Sequence, residues 1–126
     1  MLAELREYLT ALWHGSNSSP RFAVVCVRAP DDMSPATLAS LQRAAVAFQP
    51  DWSAFLPPDL FITFFNLGNE GSARADGFVS KVSAEFTALR IGRAEGRAIA
   101  ELDPHGKLLR MPLGGFINDA LRQSNA

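Results

Sequence analysis

The chain has 126 residues, of which 48% are hydrophobic and 20% are charged, and its formal net charge is -1. This length and composition predict one folded domain and exclude a disordered chain, a fibrous chain and a pair of independent domains. The near-neutral charge argues against a nucleic-acid binder held by phosphate contacts. A single cysteine, Cys26, excludes an internal disulfide, and no apolar run approaches the roughly 20 residues of a membrane span.

The start of the chain predicts an amphipathic helix. Apolar residues recur at steps of three and four on one helix face: Leu2, Leu5, Leu9, Leu12 and Trp13. Charged residues among them are not typical of a signal peptide, so we expect a cytoplasmic protein. The chain then divides into this helix (1–14), a polar linker (15–20) and one α/β domain (21–126). We predict that the apolar stripe is an interface, and its partner, the same chain or a second one, is left open.

Strands and helices alternate after the linker. A valine-rich apolar run at 22–27 and an aromatic, β-branched run at 60–65 predict buried strands. Three helices are predicted: from the Ser34-Pro35 cap to the residue before Pro50, over 73–88, and after the pair Gly114-Gly115.

Three shorter segments complete the pattern. The segment 52–56 is apolar but ambiguous, and strand-like pieces at 89–93 and 97–102 flank a glycine-bounded segment, 92–96, that predicts a turn. The whole order predicts a ferredoxin-like α/β (α+β) fold, in which a mixed or antiparallel sheet has helices packed on one face.

Four segments carry motifs in the order of a known family. The first is the strand at 22–27 with the helix that follows Ser34-Pro35. The others are 58–65 (Pro-Asp-Leu-Phe-Ile-Thr-Phe-Phe), 89–96 (Leu-Arg-Ile-Gly-Arg-Ala-Glu-Gly) and 113–122 (Leu-Gly-Gly-Phe-Ile-Asn-Asp-Ala-Leu-Arg). These three resemble the G-D-x-x-x-x-x-F hairpin, the R-x-G-(I)-x-x-G hairpin and the G-x-x-V-N-x-A-x-R helix of class III nucleotidyl cyclases, the adenylate and guanylate cyclase catalytic domains. The resemblance covers roughly residues 21 to 122 and implies a shortened, degenerate cyclase-like domain.

The metal ligands that the resemblance requires are incomplete. Cyclases of this class hold two metal ions with two aspartates, in the two-metal logic of phosphoryl transfer. Asp59 matches one aspartate and is the candidate metal ligand, whereas Cys26 stands near the position of the other. A thiol is a poor ligand for magnesium, which prefers oxygen. The base-reading lysine of the family would fall near Phe55, and its base-reading Asp or Thr near Met111 or Pro112, so neither is present.

The late helix retains the other half of the family's machinery. Asn118 and Arg122 match the asparagine that orients the ribose and the arginine that stabilises the phosphate. They are four residues apart and share one helix face. These two residues are the candidate catalytic groups.

The resemblance and its gaps predict a non-catalytic, regulatory or signalling module that acts by dimerisation or by docking on a partner protein. Cyclase domains work as face-to-face dimers, so the resemblance implies a homodimer. The near-neutral charge and the lack of a long apolar run lead us to expect no nucleic acid and no membrane as partners. We expect no cofactor, and a nucleotide ligand is left open. Two alternatives stay open. One is half of a composite cyclase that a metal-binding partner completes through Asn118 and Arg122, and the other is an unrelated small α/β adaptor of roadblock or ferredoxin-like type.

Overall fold

The central strand of the fold is the valine-rich run. In the computed structural model, which describes residues 21–67, 71–97, 101–102, 104, 108–110 and 114–125, this strand is β1 (Arg21–Arg28). Its residues from Phe22 to Val27 are fully buried, because strands flank it on both sides and side chains pack on both of its faces. A continuous apolar run is typical of a strand in this position.

The elements confirm the predicted fold class. After β1 follow α1 (Pro35–Phe48), β2 (Trp52–Leu56), β3 (Leu60–Asn66), α2 (Gly71–Glu85), β4 (Arg90–Arg97), β5 (Glu101–Leu102), β6 (Leu108–Arg110) and α3 (Gly114–Asn125). Four strands form one sheet in the order β2-β3-β1-β4, in which every neighbouring pair is antiparallel, while β5 pairs with β6. This is the ferredoxin-like β-α-β-β-α-β arrangement. The predicted N-terminal helix and linker lie outside the described residues.

Local signals fix the ends of α1. The Ser34 side-chain oxygen accepts a hydrogen bond from the Thr37 N–H at 3.1 Å, and Pro35 takes the first helical position. Gln49 ends the helix in the left-handed conformation, with φ of 52°, directly before Pro50. The ambiguous segment at 52–56 is the edge strand β2, and α2 ends at Glu85, three residues before the predicted end.

The two faces of the sheet carry different helices. On one face α1 and α2 pack, as predicted, over side chains that include Val25, Phe61 and Phe65. The opposite face carries Val24, Cys26 and other apolar side chains, and α3 packs against its β4 and β1 part. The third helix therefore adds a layer that the sequence did not predict.

The predicted turn at 92–96 is wrong, because β4 runs through it without interruption. Gly92 pairs with Cys26 and lies directly under α3. A Cβ atom at Gly92 would lie 1.8 Å from the Ala120 carbonyl oxygen and 2.7 Å from the Ser124 nitrogen. Because glycine has no Cβ atom, the helix backbone can approach the strand here. Close approach of another backbone is a common reason for glycine within a strand.

The last strand of the sheet is tied to α3 along its outer side. The Arg93 N–H donates to the Gln123 side-chain oxygen at 3.0 Å. The Arg93 guanidinium pairs with Asp76 of α2 and with Glu95 on its own strand. Side chains from both helix layers therefore hold β4 in place.

Candidate functional site

Asp59, the candidate metal ligand, lies in the tight turn between β2 and β3. Backbone hydrogen bonds join this turn to the loop after β1: the Ala29 N–H donates to the Asp59 carbonyl at 2.9 Å, and the Met33 N–H donates to the Pro58 carbonyl at 2.8 Å. The fold therefore brings Asp59 to the end of β1.

The group that meets Asp59 there is a cation of the chain itself. The Arg28 guanidinium donates to the Asp59 carboxylate at 3.1 Å, with 21% and 27% of the two side chains exposed. The Nε atom of Arg28 also lies 3.4 Å from the Ser124 hydroxyl oxygen, and that hydroxyl donates to the Leu121 carbonyl at 2.8 Å. Arg28 thus joins the end of β1, the β2–β3 turn and α3 in one polar cluster.

Cys26 faces the same side of the sheet and is chemically quiet. Burial raises the pKa of its thiol from 9.0 to about 12, and the positive charge of Arg28 offsets only part of that effect. The thiol is fully buried and stays protonated at neutral pH, so it acts neither as a metal ligand nor as a nucleophile.

The residues present do not fit a two-metal centre. The Asp59 carboxylate already pairs with the guanidinium of Arg28. The positive charge of that guanidinium would repel a divalent metal ion at the same place. Across the described ranges, no group of three or more His, Cys, Asp or Glu side chains could hold a metal ion. Phe55, at the place of the base-reading lysine, is a half-buried residue of β2 that packs under α1 and α2, whereas Met111 and Pro112 lie outside the described residues.

The side of α3 that carries Arg122 differs from the side that meets the Arg28 cluster. α3 turns Ala120 and Ser124 toward the sheet, where both are fully buried. Arg122 is 77% exposed and pairs with Asp119, one turn earlier on the same helix. Asn118 lies on α3, but its side chain is outside what the structure describes. The structure therefore shows Arg122 at the surface, where its ion-pair partner is Asp119.

The sequence did not single out the outward side of α1. We define the α1 surface as Ala39, Gln42, Arg43 and Val46, which lie at steps of three and four and line a shallow depression. Val46 is 73% exposed and is the one large hydrophobic residue so exposed among those described. Arg43 is the only charged residue of the helix. One sequence signal could have indicated this surface: Val46 is a large apolar residue that lies outside the buried stripe of α1.

A second depression adjoins the α1 surface in the groove between α1 and α2. It is shared with Arg43 and is lined further by Ala47, Lys81, Glu85 and Phe86, among others. The Lys81 ammonium and the Glu85 carboxylate pair at 2.9 Å, so their charges offset each other at the edge of the groove. The two depressions together therefore span α1 and α2, and Arg43 is the charged lining residue left without an opposite charge from the Lys81–Glu85 pair.

No protein-family model matches the chain, and no curated protein or solved structure matches it either. No helix in the described part of the chain has the length and apolar character needed to cross a membrane. The predicted interface stripe of Leu2, Leu5, Leu9, Leu12 and Trp13 lies outside the described residues.

Proposed function

We propose that the chain is a non-catalytic, degenerate nucleotide-cyclase-like module that acts through protein contact, and that it pairs with a second copy through the α1 surface. The observation that carries this proposal is the exposed Val46 on a helix face with one charge. Interface cores are depleted in charged residues, and exposed apolar patches commonly mark contacts between proteins.

The ion pair at Asp59 supports the non-catalytic half of the proposal. A cyclase centre needs carboxylates that are free to bind metal ions, and here the one matching carboxylate is bound by Arg28. Cys26, near the place of the second carboxylate, is a buried, protonated thiol. The remaining property of such a domain is its capacity to associate.

A second copy suits the α1 surface because the surface complements itself. In a two-fold symmetric contact the same patch meets itself, so its chemistry must not repel itself. Ala39 and the exposed Ala47 let two helices approach closely, and each Val46 can then pack against the small side chains opposite. Arg43, the single charged residue of this surface, has an exposed and flexible side chain that can turn its guanidinium out to water.

Sedimentation velocity tests the pairing. We expect a monomer–dimer equilibrium between about 1 and about 100 μM, the range of weak standard-size interfaces. Val46→Asp should abolish the dimer without unfolding the chain, because the side chain is exposed. Ser83→Asp is the matched control, since it places the same charge on an exposed residue of α2 that lies seven positions after Asp76, on the helix side that reaches β4.

Two results would contradict the proposal. One is a wild-type chain that stays monomeric over the whole concentration range. The other is a dimer that Val46→Asp and Ser83→Asp weaken equally, because the contact would then not depend on the α1 surface.

The exposure of Arg122 favours a second candidate function, the composite cyclase. An arginine at the surface of α3 is accessible to a site that a metal-binding partner chain supplies. Mixing the chain with such a partner and ATP or GTP should then give cyclic nucleotide. Turnover unchanged by Asn118→Ala and by Arg122→Ala would rule out this function.

A further inference from the structure

The sheet face opposite α1 and α2 has an apolar half that α3 does not explain. We define the β2–β3 half as the side chains on this face of the two strands: Trp52, Ala54, Leu56, Leu60, Ile62 and Phe64. Of the helices in the described part of the chain, α3 alone packs on this face, and it lies against β4 and β1. Nevertheless Leu60 and Ile62 are each only 6% exposed, and Phe64 is 1% exposed.

The cover over this half must come from another part of the same chain, because the burial is that of a single chain. We propose that the N-terminal apolar stripe, Leu2, Leu5, Leu9, Leu12 and Trp13, packs on the β2–β3 half of its own sheet. This helix and α3 would together complete the layer opposite α1 and α2. One layer of helices on each side is how such a sheet buries both of its faces.

The dimensions of stripe and strands agree. A helix from residue 2 to residue 13 is about 17 Å long, and the strand from Leu60 to Phe64 extends about 14 Å. The connecting residues 14–20 can span up to about 25 Å. The β2–β3 half begins one strand from β1 and ends two strands from it, at about 10 Å. The stripe can therefore reach this place without strain on the linker.

The position of β1 sets the direction of the helix. β1 begins at Arg21, and its next residue, Phe22, packs edge-on against Phe64 with 6.0 Å between ring centroids. Trp52 packs edge-on against Phe64 from the other side, at 5.6 Å. Because Trp13 stands at the linker end of the stripe, it should lie near this aromatic group. The helix would then run antiparallel to β1, as neighbouring elements joined by a short connection commonly do.

This inference does not depend on the proposed function. The stripe would be used within the chain, on the face opposite the α1 surface, and the α1 surface would remain outward. A dimer that forms through α1 and an N-terminal helix that packs internally are therefore separate results. Each can fail without the other.

Trp52 is the probe for the test. The chain has two tryptophans, so Trp13→Phe leaves Trp52 as the only one. In that background we expect Leu9→Asp to raise acrylamide quenching of Trp52 about twofold or more and to shift its emission to the red, because a charge cannot stay in an apolar contact. Ala11→Asp is the control two residues away, on the opposite side of the predicted helix, and should change neither value.

The outcomes separate the three sources of cover. If folded Leu9→Asp and Ala11→Asp leave Trp52 equally shielded, another segment covers the face and the proposal is wrong. If the shielding of Trp52 in the parent falls on dilution while the chain dissociates, a second copy supplies the helix and the proposal is again wrong. Should Leu9→Asp fail to fold by far-UV circular dichroism, Leu9→Ala replaces it and must still raise the quenching above that of Ala11→Asp.

Discussion

The contact of α3 with Gly92 gives a sharp prediction for Gly92→Ala. The new Cβ atom would meet three backbone atoms of the helix: the Ala120 oxygen at 1.8 Å, the Ser124 nitrogen at 2.7 Å and the Ala120 carbonyl carbon at 2.8 Å. Ordinary contact begins at 3.4 Å, so the helix must retreat by about 1.6 Å at this point. No side-chain rotation relieves the overlap, because the atoms belong to the backbone.

The expected loss of stability combines several terms. Overpacking of a well-packed core costs about 1–3 kcal/mol, and the retreat also weakens the hydrogen bond from the Arg93 N–H to Gln123, worth about 1 kcal/mol. Alanine in place of glycine within a strand would otherwise stabilise by about 0.5–1 kcal/mol. We expect a net loss of about 1–3.5 kcal/mol in the free energy of unfolding, which is a large share of the stability of a small domain.

Urea unfolding followed by circular dichroism measures the loss, and hydrogen exchange shows whether α3 loses protection first. Gly77→Ala is the matched control, since its Cβ would meet the Phe48 ring at 2.5 Å and 2.9 Å rather than backbone. Phe48→Leu should therefore rescue Gly77→Ala, whereas Ala120→Gly should not rescue Gly92→Ala, because the carbonyl oxygen stays. A Gly92→Ala chain as stable as the wild type, with α3 still protected, would refute the packing described here.

Two further predictions concern Cys26 and the ion pair of Arg28 with Asp59. Burial raises the pKa of the Cys26 thiol to about 12, so the native state keeps a proton that the unfolded state loses above pH 9.0. The free energy of unfolding should therefore be unaffected by this thiol below pH 9.0 and should fall as the pH rises from 9.0 to about 12. The slope that Cys26 adds is at most about 1.4 kcal/mol per pH unit, and urea unfolding of Cys26→Ala over the same range should lack it; parallel pH profiles would contradict the assignment. For the ion pair, a double-mutant cycle of Arg28→Met with Asp59→Asn should give a coupling of about 1 kcal/mol, against about 0.3–0.5 kcal/mol for the more exposed pair of Lys81 and Glu85 on α2. Equal couplings in the two cycles would show that partial burial adds nothing to the Arg28 pair.

The parts of the fold that depend on neighbouring residues in sequence were predictable. The continuous apolar run identified β1 as a central strand, and the pair Ser34-Pro35 identified the start of α1. The order of these elements was sufficient for the ferredoxin-like fold class. Hydrophobic periodicity and helix capping depend on residues that are close together in the chain. Both can therefore be recognised in the amino-acid sequence without knowledge of the tertiary structure.

The parts that depend on distant contacts were not predictable. Gly92 was predicted to be a turn residue. The actual reason for a glycine at this position is the close approach of α3, which lies about thirty positions later in the chain. Asp59 looked like a free carboxylate because its partner, Arg28, comes 31 positions earlier. The exposure of Val46 likewise depends on which side of α1 the sheet occupies. In each case a residue type permits two roles, and the tertiary structure selects one of them.

The hydrogen bond from the Arg93 N–H to Gln123 has a consequence for the kind of assembly that this chain can form. An unpaired strand edge can recruit another strand, and repeated recruitment produces open-ended fibres. At the middle of β4 the side chain of Gln123 occupies a donor that an incoming strand would need. Growth of the sheet across this edge would first have to break this bond between β4 and α3. Recruitment of a further strand along this edge is thereby opposed at one defined point, the middle of β4, by a side chain of the same chain.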